Sequence, residues 1–418
     1  MPTQRMTTER MTGGALQPGS AAAGAASAFE RWLLRILMAA LPDAGYSIVL
    51  WDGSSAGEDS GVRVLIRDRA ALWQVVRDPA LHFGDLYSLG RIEVEGDLVT
   101  FLERTYAALE AGRSANASPL WRLWSDITPR SRSIDAARDN IEQHYDLGND
   151  FYALWLDRES MQYTCAYFPE AAMPLEAAQR AKMDHVCRKL RLRRGQRVFE
   201  AGCGWGGFAL HMAREYGVEV HAWNISREQV RFATDRARKA GLGDRVSFIE
   251  DDYRNMRGEC DAFVSVGMLE HVGPENYRAL GAVIDRCLAP NGFGLIHTIG
   301  RNRPESMNGW IERRIFPGAQ PPSLGEMMAL FEPRSFSVLD VENLRLHYAE
   351  TLRHWMVRYL GAIDQVRATR GAEFARAWQL YLAGSIAAFT TGRMQLFQVL
   401  FARDRNNDLP ATRRHLYP

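Results

Sequence analysis

From about residue 185 onward, segments with the hydrophobic pattern of a strand alternate with segments that have the pattern of a helix. Short apolar runs typical of buried strands are separated by longer runs whose apolar residues recur at helical spacing. The predicted strands are 196–201, 218–224, 246–251, 261–267 and 293–299, and the predicted helices between them are 206–216, 226–240 and 275–288. Strand–helix alternation of this kind predicts an α/β fold with a doubly wound parallel sheet. Such sheets bind ligands in the crevice beyond the carboxyl ends of their strands.

The first third of the chain has a different pattern. Residues 1–27 are rich in Gly, Ala, Ser and Thr and cannot build a core, which predicts a disordered segment. Residues 28–112 predict a small mixed domain that begins with an amphipathic helix, continues through short strands and closes with a second helix. Residues 113–140 have the composition of a linker, although they carry two tryptophans and five arginines. The larger domain is therefore predicted to be residues 141–418.

A glycine-rich stretch, VFEAGCGWGGFAL, occupies residues 198–210 at the predicted end of the first strand of the larger domain. Gly202, Gly204 and Gly206 let the backbone turn tightly and approach a ligand without interference from a Cβ atom. A Walker-type phosphate loop would need Gly-Lys-Ser/Thr, and no lysine is present. Glu200 would repel a pyrophosphate but could attract a cationic ligand. On its own, the stretch is also consistent with a plain strand–helix turn.

Composition excludes several classes of protein. The formal net charge is +1, so no global field favours nucleic acid as a partner. The five cysteines are scattered without metal-ligand spacing, which favours a reducing, cytoplasmic setting and predicts no metal. No stretch approaches the roughly 20 uninterrupted apolar residues of a membrane span.

Five motifs in order resemble the cyclopropane-fatty-acyl-phospholipid synthase family, which includes the mycolic acid cyclopropane synthases and fatty-acyl methyltransferases. They are HYDLGNDFYALWLDRESMQYTCAYF (144–168), GCGWGG (202–207), VSVGMLEHVG (264–273), LIHTIG (295–300) and HYAETLRHW (347–355). The resemblance covers roughly residues 130–405, and more loosely LHFGDLYSLGRIEVEGDL in the N-terminal part. It implies a class I methyltransferase-like sheet with S-adenosylmethionine as the cationic ligand of the glycine loop.

The resemblance also implies which residues form the cofactor pocket. The pocket would run along the glycine loop, continue after the second strand and close over the methionine end of the ligand. Its residues would be Tyr163, Thr164, Val198, Phe199, Glu200, Ala201, Gly202, Cys203, Gly204, Trp205, Gly206, Asn224, Ile225, Ser226, Gln229, Tyr253 and Arg254. Ser226 is equally consistent with a helix cap, and both roles can hold together.

The implied reaction adds a methyl group to an isolated alkene, which is a poor nucleophile and needs the sulfonium held close and dry. Transfer creates a carbocation, and loss of a proton from the added methyl closes a cyclopropane ring. In this family a bound bicarbonate is understood to be the base. The resemblance implies that it is held by Cys165, Glu270, His297 and Tyr348, with the backbone at Ile299.

The implied substrate is an unsaturated phospholipid acyl chain, met at the membrane surface by a cytoplasmic, transiently membrane-associated protein. Helices at 346–366 and 372–388 offer apolar faces for an acyl tunnel. The residues expected there are Leu352, Trp355, Met356, Tyr359, Leu360, Trp378 and Leu382. Aromatic and basic side chains in the linker are typical of segments that bind a membrane surface: Trp121, Arg122, Trp124, Arg130 and Arg132.

Several alternatives stay open from the sequence. The same carbocation can lead to a methyl-branched or methylene fatty acid instead of a ring. A lipid-binding protein on a decayed methyltransferase fold and a small-molecule N-methyltransferase are two further hypotheses, and a homodimer is an open oligomeric state. Ser385 stands where older accounts of the family proposed a cysteine nucleophile, and we interpret this position as structural.

Overall fold

The computed structural model describes residues 24–114 and 147–417. The predicted disordered segment 1–27 lies outside the described residues up to residue 23, and the predicted linker 113–140 lies outside them from residue 115. Residues 24–27 pack against the N-terminal domain: the Ala26 amide donates to Asp52 Oδ2 at 2.7 Å. Ser27 then caps the first helix through a capping box with Glu30.

The N-terminal domain contains four helices and four strands within residues 24–114. They are α1 (Ala28–Ala39), β1 (Ser47–Val49), β2 (Ser55–Gly57), β3 (Arg63–Ile66), α2 (Arg69–Arg77), α3 (Pro79–Ser88), β4 (Ile92–Glu95) and α4 (Leu98–Ser114). The strands form a sheet in the order β2-β1-β3-β4. Because β1 and β3 pair in parallel while the outer pairs are antiparallel, the domain is mixed, as its sequence predicted.

From residue 147 onward, the larger domain shows two helices first and then strands and helices in alternation. Its elements are α5 (Asn149–Ala153), α6 (Leu175–Lys189), β5 (Arg197–Ala201), α7 (Gly207–Glu215), β6 (Glu219–Asn224), α8 (Arg227–Lys239), β7 (Val246–Glu250), β8 (Cys260–Val266), α9 (Leu269–Val272), α10 (Tyr277–Cys287), β9 (Leu288–Gly300), α11 (Gly309–Arg314), α12 (Leu324–Phe331), β10 (Phe336–Asn343), α13 (Arg345–Gly361), α14 (Ile363–Arg370), α15 (Ala372–Thr390) and β11 (Gln395–Arg403). The five predicted strands are present as β5 to β9, within one or two residues except at the start of β9.

In the described part of the larger domain, seven strands form one sheet in the order β10-β11-β9-β8-β5-β6-β7. Strands β5 to β9 pair in parallel, as predicted, and β11 runs antiparallel between β9 and β10. The strand order reverses at β5, so β5 and β8 point their carboxyl ends into the crevice where such sheets bind ligands.

Both faces of this sheet are buried, because successive side chains of a strand point to opposite sides. Val198 of β5 packs on the face covered by α6, α7 and α8, whereas Phe199 packs on the face covered by α10 and α12. Leu295 and Ile296 of β9 divide between the two faces in the same way. The near-continuous apolar runs that predicted the strands follow from this double burial.

A third cluster of buried residues joins the N-terminal domain to the larger one. It contains Leu37, Ile48 and Phe101 from the N-terminal domain together with Trp155 and Trp378 from the larger domain. Helix α15 packs against α3 and α4. The Arg376 guanidinium of α15 donates to the carbonyls of Tyr87 and Ile92 at 2.6 and 3.1 Å. The two domains therefore share one core instead of meeting across a wet interface.

Candidate active site

The glycine loop turns at the carboxyl end of β5, where the sequence predicted a ligand site. Gly202, Gly204 and Gly206 have φ angles of +82°, +51° and +77°, in the left-handed region that favours glycine. The amides of Gly202 and Cys203 donate to the Trp223 carbonyl of β6 at 2.9 and 3.2 Å. These bonds hold the loop against the neighbouring strand.

The surroundings of the glycines differ along the loop. A Cβ atom at Gly204 would have no atom within 4 Å. A Cβ atom at Gly206 would lie 2.6 Å from the ring of Phe248, which is partly buried, and 2.7 Å from Cβ of the buried Ala233. Gly204 therefore leaves room for a ligand, whereas Gly206 is required by the packing of the loop on the sheet.

Glu200 lies buried at the end of β5, and sequence reasoning missed its charged neighbour Lys182. Burial raises the pKa of Glu200 to about 8, and the nearby Lys182 cation partly offsets this rise. Burial lowers the pKa of Lys182 to about 8. The Lys182 ammonium donates to Gln162 Oε1 and, at 3.0 Å, to Thr164 Oγ1. Glu200 Oε2 has no hydrogen-bond partner among residues 24–114 and 147–417, so it can accept one from a ligand.

The segment after β6 contacts the glycine loop, as the predicted pocket requires. The Asn224 amide donates to the Gly204 carbonyl at 3.2 Å and to Gln229 Oε1 at 2.8 Å. Ser226 caps α8 by accepting from the Gln229 amide at 3.4 Å, so the helix-cap interpretation is correct for this residue. Asn224 and Gln229 consequently stand in fixed positions beside the loop, with Ile225 between them.

The other predicted cofactor residues make contacts of their own in the larger domain. Arg254 stacks on the Tyr253 ring at 5.3 Å, after the end of β7. Tyr163 and Tyr381 share a hydrogen bond between their hydroxyls at 2.9 Å. Trp205 Nε1 donates to Asn149 Oδ1 at 2.7 Å. The side chains of four others are buried, so they would meet a ligand through their backbone: Val198, Phe199, Ala201 and Cys203.

The five residues predicted to hold the base come from four separate parts of the larger domain. Cys165 precedes α6, Glu270 lies in α9 just after β8, His297 and Ile299 lie in β9, and Tyr348 lies in α13. All five line one cavity together with Tyr163 and Thr164. The structure therefore brings together residues that are up to 183 positions apart in the sequence.

Glu270 is fixed by the backbone of β9. Its Oε1 accepts a hydrogen bond from the Ile299 amide at 2.6 Å. The resemblance placed the backbone of Ile299 on the bicarbonate, whereas in this structure its N–H binds the Glu270 carboxylate. Glu270 Oε2 is buried and has no partner among the described residues. Burial raises the pKa of Glu270 to about 7.

His297 has a partner that sequence reasoning missed. Gln398 of β11 lies opposite His297 in the sheet register, and its amide donates to His297 Nδ1 at 3.1 Å. A neutral imidazole that accepts at Nδ1 carries its proton on Nε2. Burial keeps the pKa of His297 well below its usual value, which favours this neutral form. His297 Nε2 is buried without a partner among the described residues, so it can donate to a ligand.

Cys165 remains a thiol, because its complete burial raises its pKa. The thiol lies 3.0 Å from the Ala166 carbonyl oxygen. The Tyr348 ring packs between Phe389 and Trp355, with ring centroids 4.6 and 5.9 Å away. The Cys165 thiol therefore carries no charge at neutral pH, and the local electrostatics depend on Glu270 and on Lys182 nearby.

The cavity has a volume of about 660 Å³ and extends from these residues into the N-terminal domain. Apolar side chains of α1, the N-terminal sheet and α4 line that end, among them Leu37, Ile48, Ile66 and Phe101. Two arginines missed by sequence reasoning, Arg301 and Arg393, line a more polar part. Ser385 also lies on the cavity wall.

The predicted acyl tunnel is largely wrong in its residues. Of the seven, Leu352 lines the cavity, whereas Leu360 is exposed. Trp355 and Trp378 instead pack against Trp155 in the shared core. The apolar stripes of these helices mostly pack one helix against another. The cavity lies between the two domains, and the pattern of a single helix could not indicate that position. The predicted surface-binding residues of the linker, at 121–132, lie outside the described residues.

Comparison with known proteins places the chain in a family. The family described as mycolic acid cyclopropane synthetase matches residues 132–399. The chain belongs to this family. The structure of the cyclopropane synthase MmaA2 of Mycobacterium tuberculosis is similar to this chain, with a TM-score of 0.61 and 27% identity over 66% of this chain and 100% of that one. The class I methyltransferase fold and the S-adenosylmethionine-dependent methyltransferase class are thereby confirmed.

Two relatives within the family differ in the extent of their match. A probable fatty acid methyltransferase of Pseudomonas putida is 36% identical over 402 residues, 91% of this chain and 100% of that protein. The cyclopropane-fatty-acyl-phospholipid synthase of Escherichia coli K12 is 41% identical over 273 residues, 65% of this chain and 70% of that protein. The N-terminal domain lies outside the family match, so the family alone assigns it no role.

Proposed function

We propose that this protein uses S-adenosylmethionine to convert the cis double bond of an unsaturated phospholipid acyl chain into a cyclopropane ring. The observation that supports this most directly is the pairing, in one largely apolar cavity, of an unpartnered acceptor, Glu270 Oε2, with an unpartnered donor, His297 Nε2. Buried polar atoms are rarely left without a partner, so the pair is suited to a small polar ligand.

Bicarbonate fits this pair. The hydroxyl of the ion can donate a hydrogen bond to Glu270 Oε2, and its other oxygen atoms can accept one from the His297 Nε2–H. When bound, it supplies a base for proton removal in a site where a free carboxylate would risk alkylation. Cys165 and Tyr348 border the same space and would complete its surroundings.

The protein's own contribution is positioning and exclusion of water. The glycine loop, Asn224 and Gln229 form the wall against which the methyl donor would lie, and Glu200 offers a buried acceptor to a cationic ligand. The apolar cavity excludes water from an acyl chain, which protects a carbocation until the proton leaves. Glu270 and His297 would orient the base beside the added methyl group, so that ring closure precedes other outcomes.

A methyl-branched or methylene fatty acid is the second candidate product. Relatives that match nearly the whole chain are named fatty acid methyltransferases: the Pseudomonas putida protein, and a tuberculostearic acid methyltransferase of Mycobacterium tuberculosis, 32% identical over 96% of this chain. Loss of a different proton from the same carbocation would leave a carbon–carbon double bond, and reduction of that bond by a separate hydride donor would give the methyl-branched product.

Lipid analysis of a host that lacks cyclopropane lipids tests the proposal. Expression should add one methylene mass to unsaturated phospholipid acyl chains, and retention or ring-opening analysis separates the ring from the methylene isomer. Glu270→Gln should lower this product strongly while it leaves cofactor binding intact. Unchanged acyl masses with the wild-type protein, combined with no binding of S-adenosylmethionine in titration, would favour a decayed lipid-binding scaffold.

A further inference from the structure

Helices α1 and α2 expose a cluster of three large aromatic side chains on the N-terminal domain. Phe29, Trp32 and Trp73 are 52%, 48% and 44% exposed. The Phe29 ring lies 5.3 Å from Trp32 and 5.6 Å from Trp73, so the three form one contiguous patch. A contiguous exposed aromatic patch of this kind indicates an interaction surface, whereas single exposed apolar residues need no explanation.

Arginines flank the patch at helical spacing. On α2, Arg69 and Arg77 lie four residues before and after Trp73, and on α1, Arg35 lies three residues after Trp32. Residues three and four apart share one face of a helix, so these cations lie on the side that carries the aromatics. Arg69 pairs with Glu30. Arg35 and Arg77 are exposed and have no ion-pair partner in the part of the chain that the structure describes.

The opposite sides of the same two helices form part of the cavity wall. Leu37 and Leu41 of the α1 region and Val75 of α2 line the cavity. Two short helices thus separate the exposed aromatic patch from the space proposed to hold an acyl chain. A lipid that leaves a bilayer at this surface would have a short path to the cavity.

The chemistry of the patch favours an anionic lipid bilayer over other partners. Tryptophan and phenylalanine beside arginine are the combination that binds a negatively charged membrane interface. Residues 1–23 would be a poor cover, because they contain no aromatic residue and carry Arg5 and Arg10, which have the same charge as the flanking arginines. Among the described residues, no helix has the length and apolar character to cross a bilayer.

We propose that the α1–α2 face, defined by Phe29, Trp32, Trp73, Arg35 and Arg77, docks the protein on anionic lipid bilayers and presents the cavity to them. The proposal deepens the proposed function, since it names the surface through which a phospholipid substrate is reached. It does not depend on which product is formed.

Sedimentation of the full-length protein with vesicles tests the face. Vesicles of phosphatidylcholine and phosphatidylglycerol in equal parts are compared with vesicles of phosphatidylcholine alone. The combined variant Phe29→Ser, Trp32→Ser and Trp73→Ser should bind the anionic vesicles at least about tenfold more weakly than wild type. Arg35→Gln with Arg77→Gln should weaken binding by about fivefold for each arginine on anionic vesicles and little on neutral ones.

Val357→Ser is the matched control, because Val357 is 71% exposed on α13, outside the patch. It should bind vesicles as the wild type does. The aromatic variant should keep its binding of S-adenosylmethionine and its activity on phospholipid dispersed in detergent, since none of its three positions lines the cavity. Its activity on vesicles should fall with the binding.

Several results would overturn the docking surface. Wild-type protein that does not bind the anionic vesicles would do so, as would an aromatic variant that binds them normally. If the variant instead converts a dimer into monomers while vesicle binding persists, the face belongs to a second copy of the chain. Wild-type protein that binds vesicles but transfers no methyl group even in detergent would refute the proposed function and leave the docking surface standing.

Discussion

Replacing Glu270 by glutamine is expected to stabilise the protein at alkaline pH and at the same time to remove most of its activity. The two effects have separate causes. Glu270 is buried and its pKa is raised to about 7, so the folded protein must hold a costly carboxylate at high pH. The same carboxylate carries the unpartnered oxygen proposed to orient the base. Glutamine removes the charge but preserves the size and one acceptor oxygen.

The magnitude follows from the two pKa values. The ordinary glutamate value is 4.5 and the value in the folded protein is about 7. Because the folded protein binds the proton more tightly, this group's stabilising contribution is full below pH 4.5 and is lost as pH rises through 7. At about 1.4 kcal/mol for each pKa unit, the difference amounts to about 3 kcal/mol above pH 7. For a chain of this length, that corresponds to roughly 3 °C in melting temperature.

The assay compares thermal unfolding of wild type and variant at pH 5 and pH 8 in bicarbonate-free buffer. Glu270→Gln should melt near the wild type at pH 5 and above it at pH 8. Its methyl transfer should fall about 100- to 1,000-fold, as expected for the loss of one positioned polar contact in an active site. Glu259→Gln, which changes an exposed carboxylate, is the control and should alter neither property.

Three results would each refute one part of the reasoning. A variant that melts below wild type at pH 8 would show that the Glu270 carboxylate stabilises the fold through the Ile299 amide more than its burial costs. A variant with full activity would show that Glu270 does not position the base. If removal of bicarbonate does not change wild-type turnover, bicarbonate is not the ligand. The predicted free-energy cost of the buried Glu270 carboxylate would still hold.

Three further predictions concern neighbouring residues. Gly204→Ala should bind the cofactor at least about tenfold more weakly while the protein stays folded, because the new Cβ enters open space and the backbone strain costs only about 1–2 kcal/mol. Gly206→Val should instead lower the melting temperature, because its side chain would collide with Phe248. Equal cofactor affinity in Gly204→Ala would contradict the loop assignment. Cofactor affinity, measured by calorimetry, should rise between pH 7 and pH 9 as Glu200 ionises. Glu200→Gln should flatten this rise, and a rise that persists in the variant would assign the effect to Lys182 instead. Gln398→Met should lower turnover without loss of cofactor affinity, since His297 loses the partner that fixes its tautomer; an unchanged pH profile of turnover would argue against that role.

The sequence predicted the parallel sheet well, because strands buried on both faces are continuous apolar runs that local patterning reveals. Residues 288–292 extend β9 beyond its predicted start, since Pro290, Asn291 and Gly292 resemble a turn in sequence. Strands β10 and β11, which pair antiparallel, were not predicted, although β11 is almost wholly buried. The position of β11 beside β9 is a long-range property that no local pattern contains.

Site residues that belong to sequence motifs could be predicted. Residues brought to the site only by strand pairing across the sheet could not. Glu270 and His297 stand in recognisable motifs, and the structure places both on the cavity. Gln398 contacts His297, which is 101 positions away in the sequence. The only sequence signal is a weak one, a polar residue with apolar neighbours on both sides. Lys182 likewise appears in sequence as an ordinary helical lysine, and only its burial beside Thr164 and Glu200 distinguishes it.

The cavity between the two domains also bears on how the protein reaches its full stability. The cavity is lined from both sides by residues that also belong to the core that the domains share, namely Leu37, Ile48, Phe101, Tyr381 and Phe389. An acyl chain in this space would occupy the place that side chains fill in an ordinary interior, so that substrate acts as a removable part of the core. Without it, the apolar lining lacks packing partners on one side, at a cost in dispersion contacts. If the proposed substrate binds here, we expect the two domains to unfold as one cooperative unit that bound lipid stabilises.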